Sequence, residues 1–364
     1  MSTSGPLLSI VVPTYNRDYC LARTLDSALN QTYANVEVIV VDDGSKDKTD
    51  QLIADKYGNE PRLRYIKQKN GGVSSARNNG LRNTRGEFIA LLDSDDVWHP
   101  WKAELQIGVM QARPDLVMTW TDMDAVGGKE PVTPKFLRHM YGAYQWFPKS
   151  EDLFGAGTPL SSIVTSPSPT LAPVLGDRKF YSADIFSQMI LGNLVHTSTV
   201  ILRRAVLDKV KIFREDLHNA GEDYDFHLRT CHEGPVGYLD VSSILYERGL
   251  TDHIASSKNG IYFAQHYLVS ITPYLEGERH RLTLTDADIR GVLAKAHRWI
   301  GQELFERGER AGAVKELALS LRYKPWQPRT LMFLAAAPLP PKLRSVARTG
   351  FRAVKKAVGA SAGT

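Results

Sequence analysis

Five apolar residues in a row, Phe88-Ile89-Ala90-Leu91-Leu92, run directly into Asp93-Ser94-Asp95-Asp96. A short run with no polar alternation fits a strand buried on both faces, hence a sheet covered by helices. Its C-terminal end then carries three carboxylates, on the edge where open α/β sheets bind ligands. Like charges raise each other's pKa and resist ionising together. Three acids in four positions therefore ask for positive charge. A hard divalent ion, Mg²⁺ or Mn²⁺, would supply it, taking one or two carboxylates and leaving its other positions to water and phosphate oxygens. The plain alternative is a solvated turn capped by Asp93.

The residues before this run alternate strand and helix patterns. Leu7 to Val12, Val36 to Val41 and Leu63 to Ile66 read as strands. Leu21 to Asn30, Lys48 to Tyr57 and Val73 to Leu81 read as helices. Such alternation predicts a mostly parallel sheet between helices. The second strand also ends in acids, Asp42-Asp43-Gly44-Ser45. Asp42 or Asp43 can accept a hydrogen bond from the N3–H of a uracil or thymine ring, and Tyr15 can stack on that base. The first loop is no Gly-rich phosphate cradle, which argues against a Rossmann dehydrogenase or a P-loop enzyme. Phosphates would be held by the metal and by cations, with Arg77 the best placed. Tyr15 as a core aromatic and Arg77 as a surface ion pair are the simpler readings.

Four segments in order carry a family resemblance. They are Val12-Pro13-Thr14-Tyr15-Asn16-Arg17, Val41-Asp42-Asp43-Gly44-Ser45, Asn70-Gly71-Gly72-Val73-Ser74-Ser75-Ala76-Arg77-Asn78 and Leu92-Asp93-Ser94-Asp95-Asp96-Val97-Trp98. Together they resemble the successive motifs of family 2 glycosyltransferases. The resemblance implies an α/β fold: a GT-A-type nucleotide-binding sheet flanked by helices, here with a C-terminal helical extension. It implies that Pro13, Thr14, Tyr15, Asn16, Arg17, Asp42, Asp43, Gly72 and Arg77 contact the donor nucleotide. Asp93 would face the ribose and Asp95 would ligate Mn²⁺ or Mg²⁺; Asp96 leaves that register open by one residue.

Further on, Lys102 to Gln111 reads as a helix and Asp115 to Thr121 as a strand. Residues 127–180 are rich in Pro, Ser and Thr and hold Tyr141, Tyr144, Trp146 and Phe147. They read as a loop-rich insertion near the active site, binding an acceptor sugar or simply packing its own aromatics. In Glu222-Asp223-Tyr224-Asp225 the acids open a helix, where the dipole favours ionised carboxylates. Asp223 reads as a plain cap or as a general base. The resemblance favours the base, with Glu222 binding acceptor or orienting the site. Arg248 is a candidate phosphate or sugar contact and His253 a second metal ligand or diphosphate contact; a lone His is otherwise structural.

From Asp286 the chain turns helical, with Ile289 to Phe305 and Arg310 to Arg322 resembling one tetratricopeptide repeat, which cannot bury its own face. The expected divisions are 1–126 for the nucleotide-sugar half, 127–180 for the insertion, 181–270 for the acceptor and catalytic-base half, 286–330 for the helical extension and 342–358 for a basic amphipathic helix. That last segment holds six of the Lys and Arg and no acid, within a net charge of +5. The remaining body is close to neutral, which argues against nucleic acid as a partner. The segment reads as a membrane-surface anchor, each cation near an anionic leaflet contributing about 1 kcal/mol, or as a helix docked on its own protein. The two cysteines form no metal or disulfide spacing. With no apolar run long enough to span a bilayer and no signal-peptide pattern at the N-terminus, the expectation is a cytoplasmic protein, with 342–358 able to hold it at the inner face of the membrane.

The expected activity is metal-dependent, inverting transfer of a sugar from a nucleotide-diphospho-sugar, most simply UDP-linked, to a hydroxyl of a glycan or lipid-linked glycan in cell-surface polysaccharide synthesis. A single candidate base and no evident nucleophile suit one displacement. The alternatives are a sugar-nucleotide pyrophosphorylase, for which a Gly-rich basic loop after the first strand is missing, and a non-catalytic glycan-binding scaffold, which has no use for Asp95 together with Asp223.

Overall fold

The β-branched runs form the centre of one sheet in the computed structural model, which describes residues 5–128, 130–249 and 259–337. β1 (Leu8–Thr14), β2 (Val36–Asp42) and β4 (Phe88–Leu91) are buried along their whole length, as parallel strands covered on both faces must be. β3 (Leu63–Lys67) lies at the sheet edge and is only partly covered. The helices between them, α1 (Leu21–Leu29), α2 (Thr49–Tyr57) and α3 (Val73–Arg82), make the crossovers that parallel strands require.

Among the described residues five further strands and β5 (Val97–Trp98) complete ten: β6 (Met118–Val126), β7 (Thr158–Pro159), β8 (Lys179–Ala183), β9 (Ile201–Arg203) and β10 (Val236–Glu247). The order is β3-β2-β1-β4-β9-β6-β10-β8-β7, with β5 also on β10. β9 runs antiparallel between β4 and β6; β6 and β10 are parallel. The ends of β1, β2, β4, β6 and β10 and the start of β9 therefore share one edge. Strand order reverses beside β1: the chain steps outward to β2 and β3, then returns on the other side as β4. Such a switch point opens a crevice outside the strand ends.

β6 starts later than expected. Residues 113–116 form a turn, with Leu116 N–H donating to Arg113 O at 3.2 Å and Arg113 paired to Asp115 at 2.7 Å. It then continues through Asp122, whose buried carboxylate accepts from Met123 N–H, Leu137 N–H and the Tyr238 hydroxyl. Within 127–180 lie short helical turns such as Leu137–Met140 and Ser150–Phe154. Phe154 joins Trp120, Tyr181 and Tyr238 in an aromatic cluster.

The chain divides into two compact units, Met1–Ile254 and Ala255–Thr364. In the second, helices Gly260–Gly277, Asp286–Arg307, Arg310–Tyr323 and Pro328–Ala336 pack in succession. Thr285 and Asp288 form a capping box at the start of Asp286–Arg307, and left-handed Gly308 ends it. Gly301 lets Leu317 approach the helix backbone, and the Ser320 hydroxyl donates to Ala294 O at 2.7 Å. Among the described residues no helix is long and apolar enough to cross a membrane. Segment 342–358 and His253 lie outside the described residues.

Candidate functional site

The acid loop at the end of β4 is fixed mainly through its backbone. Asp93 N–H donates to Ser198 Oγ at 3.0 Å, and Ser94 O accepts from Thr24 of α1 at 2.9 Å. Asp95 O accepts from Arg23 at 3.2 Å, and Asp96 N–H turns back to Asp93 O at 3.1 Å. The carboxylates divide the charge problem unequally. Burial, then the charges of Asp95 and Asp93, push the Asp96 carboxyl well above the usual range, with Ser198 as hydrogen-bond partner. Burial opposes ionisation of Asp93 too, but Arg77's charge and hydrogen bond outweigh it and hold its pKa down. Asp95 faces Arg17 at 3.5 Å. Two arginines, Arg77 on Asp93 and Arg17 on Asp95, thus supply positive charge at the acid loop.

Arg77, on α3, is buried and bridges two segments. Nη2 donates to Asp93 Oδ1 and Nη1 to Glu222 Oε1, both at 2.7 Å. Its guanidinium lies 5.2 Å from the Phe213 ring centre. The second partner opens helix Glu222–His232, entered through Gly221 at φ +87°, a conformation that costs glycine little. That helix is anchored by Tyr224, whose hydroxyl donates to Met189 O at 2.8 Å, and by Phe226, stacked on Phe213 at 4.2 Å. Asp223, half-buried beside Glu222, accepts from Tyr224 N–H at 2.7 Å. Burial and then the Glu222 charge push its carboxyl up to about 7, against the pull of Arg77.

At the ends of β1 and β2, Pro13 and Thr14 are buried and end β1, and Tyr15 is 43% exposed. Asn16 takes φ +53°, its N–H donating to Ser45 Oγ and its side chain accepting from Lys46 N–H. Asp42 and Asp43 are buried and engaged: Asp42 accepts from Ser45 N–H and the Tyr65 hydroxyl. Asp43 accepts from Gly71 N–H, Gly72 N–H and Gln68, each at 2.8 Å. These acids bind the loops after β2 and β3 together and set Gly72, at φ +89°, at the head of α3. Arg248, directly after β10, donates to Glu130 and Pro131 O at 2.7 Å with its guanidinium over Phe136.

The structure adds residues that motif reading passes over. Because β9 enters between β4 and β6, His196 and Ser198 reach the edge beside Asp93. His196 packs edge-on to Tyr246 at 5.5 Å, and Phe136 stacks on Tyr246 at 6.0 Å. Burial, then the neighbouring Asp96, Asp95 and Asp93, raise the Tyr246 phenol to about 12. Tyr141 comes from the insertion. Burial and the Asp223 charge push its phenol well above the ordinary value, with Asp93 also contributing. The sequence signals them only by the aromatic richness of 127–180 and by His196 standing just before the strand-like run Thr199 to Arg203. Tyr144, by contrast, is packed, its hydroxyl donating to Leu194 O.

Among the described residues no group of three or more His, Cys, Asp or Glu is arranged to enclose a metal ion. The donors at the β4 end are carboxylate oxygens. That set suits a hard divalent ion sharing one protein carboxylate with diphosphate oxygens rather than a resident metal with a full protein ligand shell.

The model of Glycosyl transferase family 2 matches residues 9–163, from β1 into the insertion. An uncharacterized glycosyltransferase of Rickettsia typhi is 30% identical over 266 residues, covering 72% of this chain and 67% of that protein. Chondroitin synthase of Escherichia coli is 42% identical over 256 residues; the match covers 70% of this chain and only 30% of that enzyme. Two solved structures share the fold. S. aureus TarS 1–349, in complex with UDP-GlcNAc, matches with a TM-score of 0.58 at 21% identity, covering 98% of this chain and 92% of that one. GalNAc-T7 with UDP, GalNAc and Mn²⁺ matches at 0.53 and 14%, covering 81% and 51%. With its motifs at the ends of β1, β2 and β4 on a GT-A sheet, and with relatives that cover most of the chain, the protein belongs to glycosyltransferase family 2.

Proposed function

We propose that this protein transfers a sugar, with inversion, from a UDP-linked donor to a hydroxyl of a glycan acceptor in cell-surface polysaccharide synthesis. One observation carries the reading: Arg77 ties Asp93, on the donor side, to Glu222, next to the candidate base Asp223. The 42% identity to chondroitin synthase and the UDP-GlcNAc held by TarS support the donor class. In this reading residues 1–126 hold the nucleotide sugar, with Pro13 to Arg17, Asp42, Asp43 and Gly72 shaping its pocket. Residues 181–270 carry the base and 127–180 meet the acceptor. The helical extension 286–330 and the basic segment 342–358 lie outside the chemistry, the latter holding the enzyme at the inner face of a membrane.

Asp95 would hold Mg²⁺ or Mn²⁺, with His253 the second candidate ligand. When bound, such an ion neutralises the diphosphate leaving group as a Lewis acid. Asp93 takes the ribose and Arg77 holds Asp93 in place. Asp223 accepts the proton of the acceptor hydroxyl, which attacks C1 opposite the phosphate in a single displacement. Glu222, fixed by Arg77, orients the base. Arg248 shapes the loop at 130–133, which borders the acceptor side.

Calorimetric titration with UDP, GDP, CDP and dTDP, each with Mn²⁺ and with EDTA, tests the reading. Micromolar binding of UDP that EDTA abolishes is the expected result. Failure of every nucleotide to bind with metal present would overturn it.

A further inference from the structure

Helix Pro328–Ala336 has two apolar sides. Ala336 and Ala337 are buried with Phe305 and Ala313, and Phe333 packs against them. The other side, at positions 328, 331, 332 and 335, follows the helical repeat and faces solvent as Pro328, Leu331, Met332 and Ala335. Leu331 is 39% exposed and Met332 44%, and Trp326, just before the helix, is 78% exposed. An apolar stripe led by an uncovered Trp marks a contact surface.

Charge selects the occupant. The last acid in the sequence is Glu316, and residues 317–364 hold nine Lys and Arg. Arg322, Lys324 and Arg329 are exposed around Trp326. Arg298 is disfavoured as a cation by burial and by Arg329, and Lys295 by burial and by Arg298. Among the described residues none of Lys295, Arg298, Arg322 and Arg329 pairs with a carboxylate. Like charges gathered without counter-charge suit a surface that supplies anions. Trp with short apolar side chains suits the boundary between headgroups and acyl chains.

We propose that the Trp326–Leu331–Met332 face, with the arginines and lysines around it, docks on an anionic lipid surface. The helix lies in the interface and does not span it. The proposal rests on the membrane reading of 342–358 and adds to it a surface within the described fold; it is independent of the transferase chemistry.

The test is co-sedimentation of the full chain with phosphatidylcholine vesicles, with or without phosphatidylglycerol as a third of the lipid. The expected result is binding at least about tenfold tighter to the anionic vesicles. A variant with Trp326→Ser, Leu331→Ser and Met332→Ser together should bind about tenfold or more weakly, with melting temperature and oligomeric state unchanged. Equal binding by the variant, equal binding to both vesicles, or no binding would overturn the proposal. So would a variant whose melting temperature or oligomeric state shifts, since the face would then be covered by residues 338–364 or by a second copy. An oligonucleotide that displaces the vesicles through the same three residues would also overturn it. UDP titration of the same samples separates the two readings: lost UDP binding with vesicle binding kept would defeat the transferase reading alone.

Discussion

A carboxylate acting as general base must be ionised, and Asp223, the base in the mechanism we propose, sits where ionisation is hard. Burial and the neighbouring Glu222 raise its pKa to about 7, so the rate should rise with pH through that value and level off above it. Asp223→Asn should lower kcat by about 10²–10⁴-fold and leave UDP affinity within about threefold. Glu222→Gln removes the nearer negative charge, so the midpoint of the pH–rate profile should move down; an unmoved midpoint would show that Glu222 does not tune the base. Arg77→Met strips buried Glu222 and half-buried Asp93 of their partner, and breaking a buried pair costs about 3–5 kcal/mol. Urea unfolding should show that loss, and Arg77→Lys, which keeps a charge but not the fork, should recover part of it. The motifs themselves were legible, because four segments carry them in order. Partnership was not. Asp42 and Asp43 read as open acceptors for a base, yet their carboxylates brace neighbouring loops. Nothing local to Arg77 announces Glu222, 145 residues away.

At the scale of elements, Gly80 shows which force wins where a helix meets a sheet. Alanine in a helix interior ordinarily gains about 1 kcal/mol over glycine. A Cβ at Gly80 would lie 2.3 Å from Val11 Cγ1 on buried β1, and overpacking costs about 1–3 kcal/mol. Gly80→Ala should therefore destabilise, by up to roughly 2 kcal/mol, in a denaturant titration; a gain would mean that α3 can move off the sheet. The strands and crossover helices of the first hundred residues were legible because apolar runs and helical spacing agree with punctuation there. β6 was misjudged in extent because Asp122 and Asp124 broke its apolar run, although the first is buried and bonded to backbone. Helix Gly260–Gly277 gave little signal: it carries Pro273 inside it and few charged residues to mark an outer face.

For the whole molecule, the site draws on β1, β2, β4, α3 and helix Glu222–His232, all in the unit Met1–Ile254. Ligand at about 100 times its Kd stabilises the state that binds it by about 2.7 kcal/mol. For a unit of this size that is roughly 5–10 °C in melting temperature. Differential scanning fluorimetry with UDP and Mn²⁺ should show a rise of this order, and EDTA should erase it. The second unit has hydrophobic clusters of its own, around Phe305 and around Ile300, so a transition that does not respond to UDP belongs to it.

The strand inserted at the centre of the sheet also sets a timetable. β4 ends at residue 91, but the neighbour that closes its open side, β9, is not synthesised until residues 201–203. Until then a growing chain presents the unpaired backbone of a wholly apolar strand, the kind of edge that recruits other chains. Pairing across more than a hundred residues is slow, because the intervening loop must close first. A chain stopped before residue 201 should therefore be captured by chaperones or aggregate, even though it contains all four family motifs.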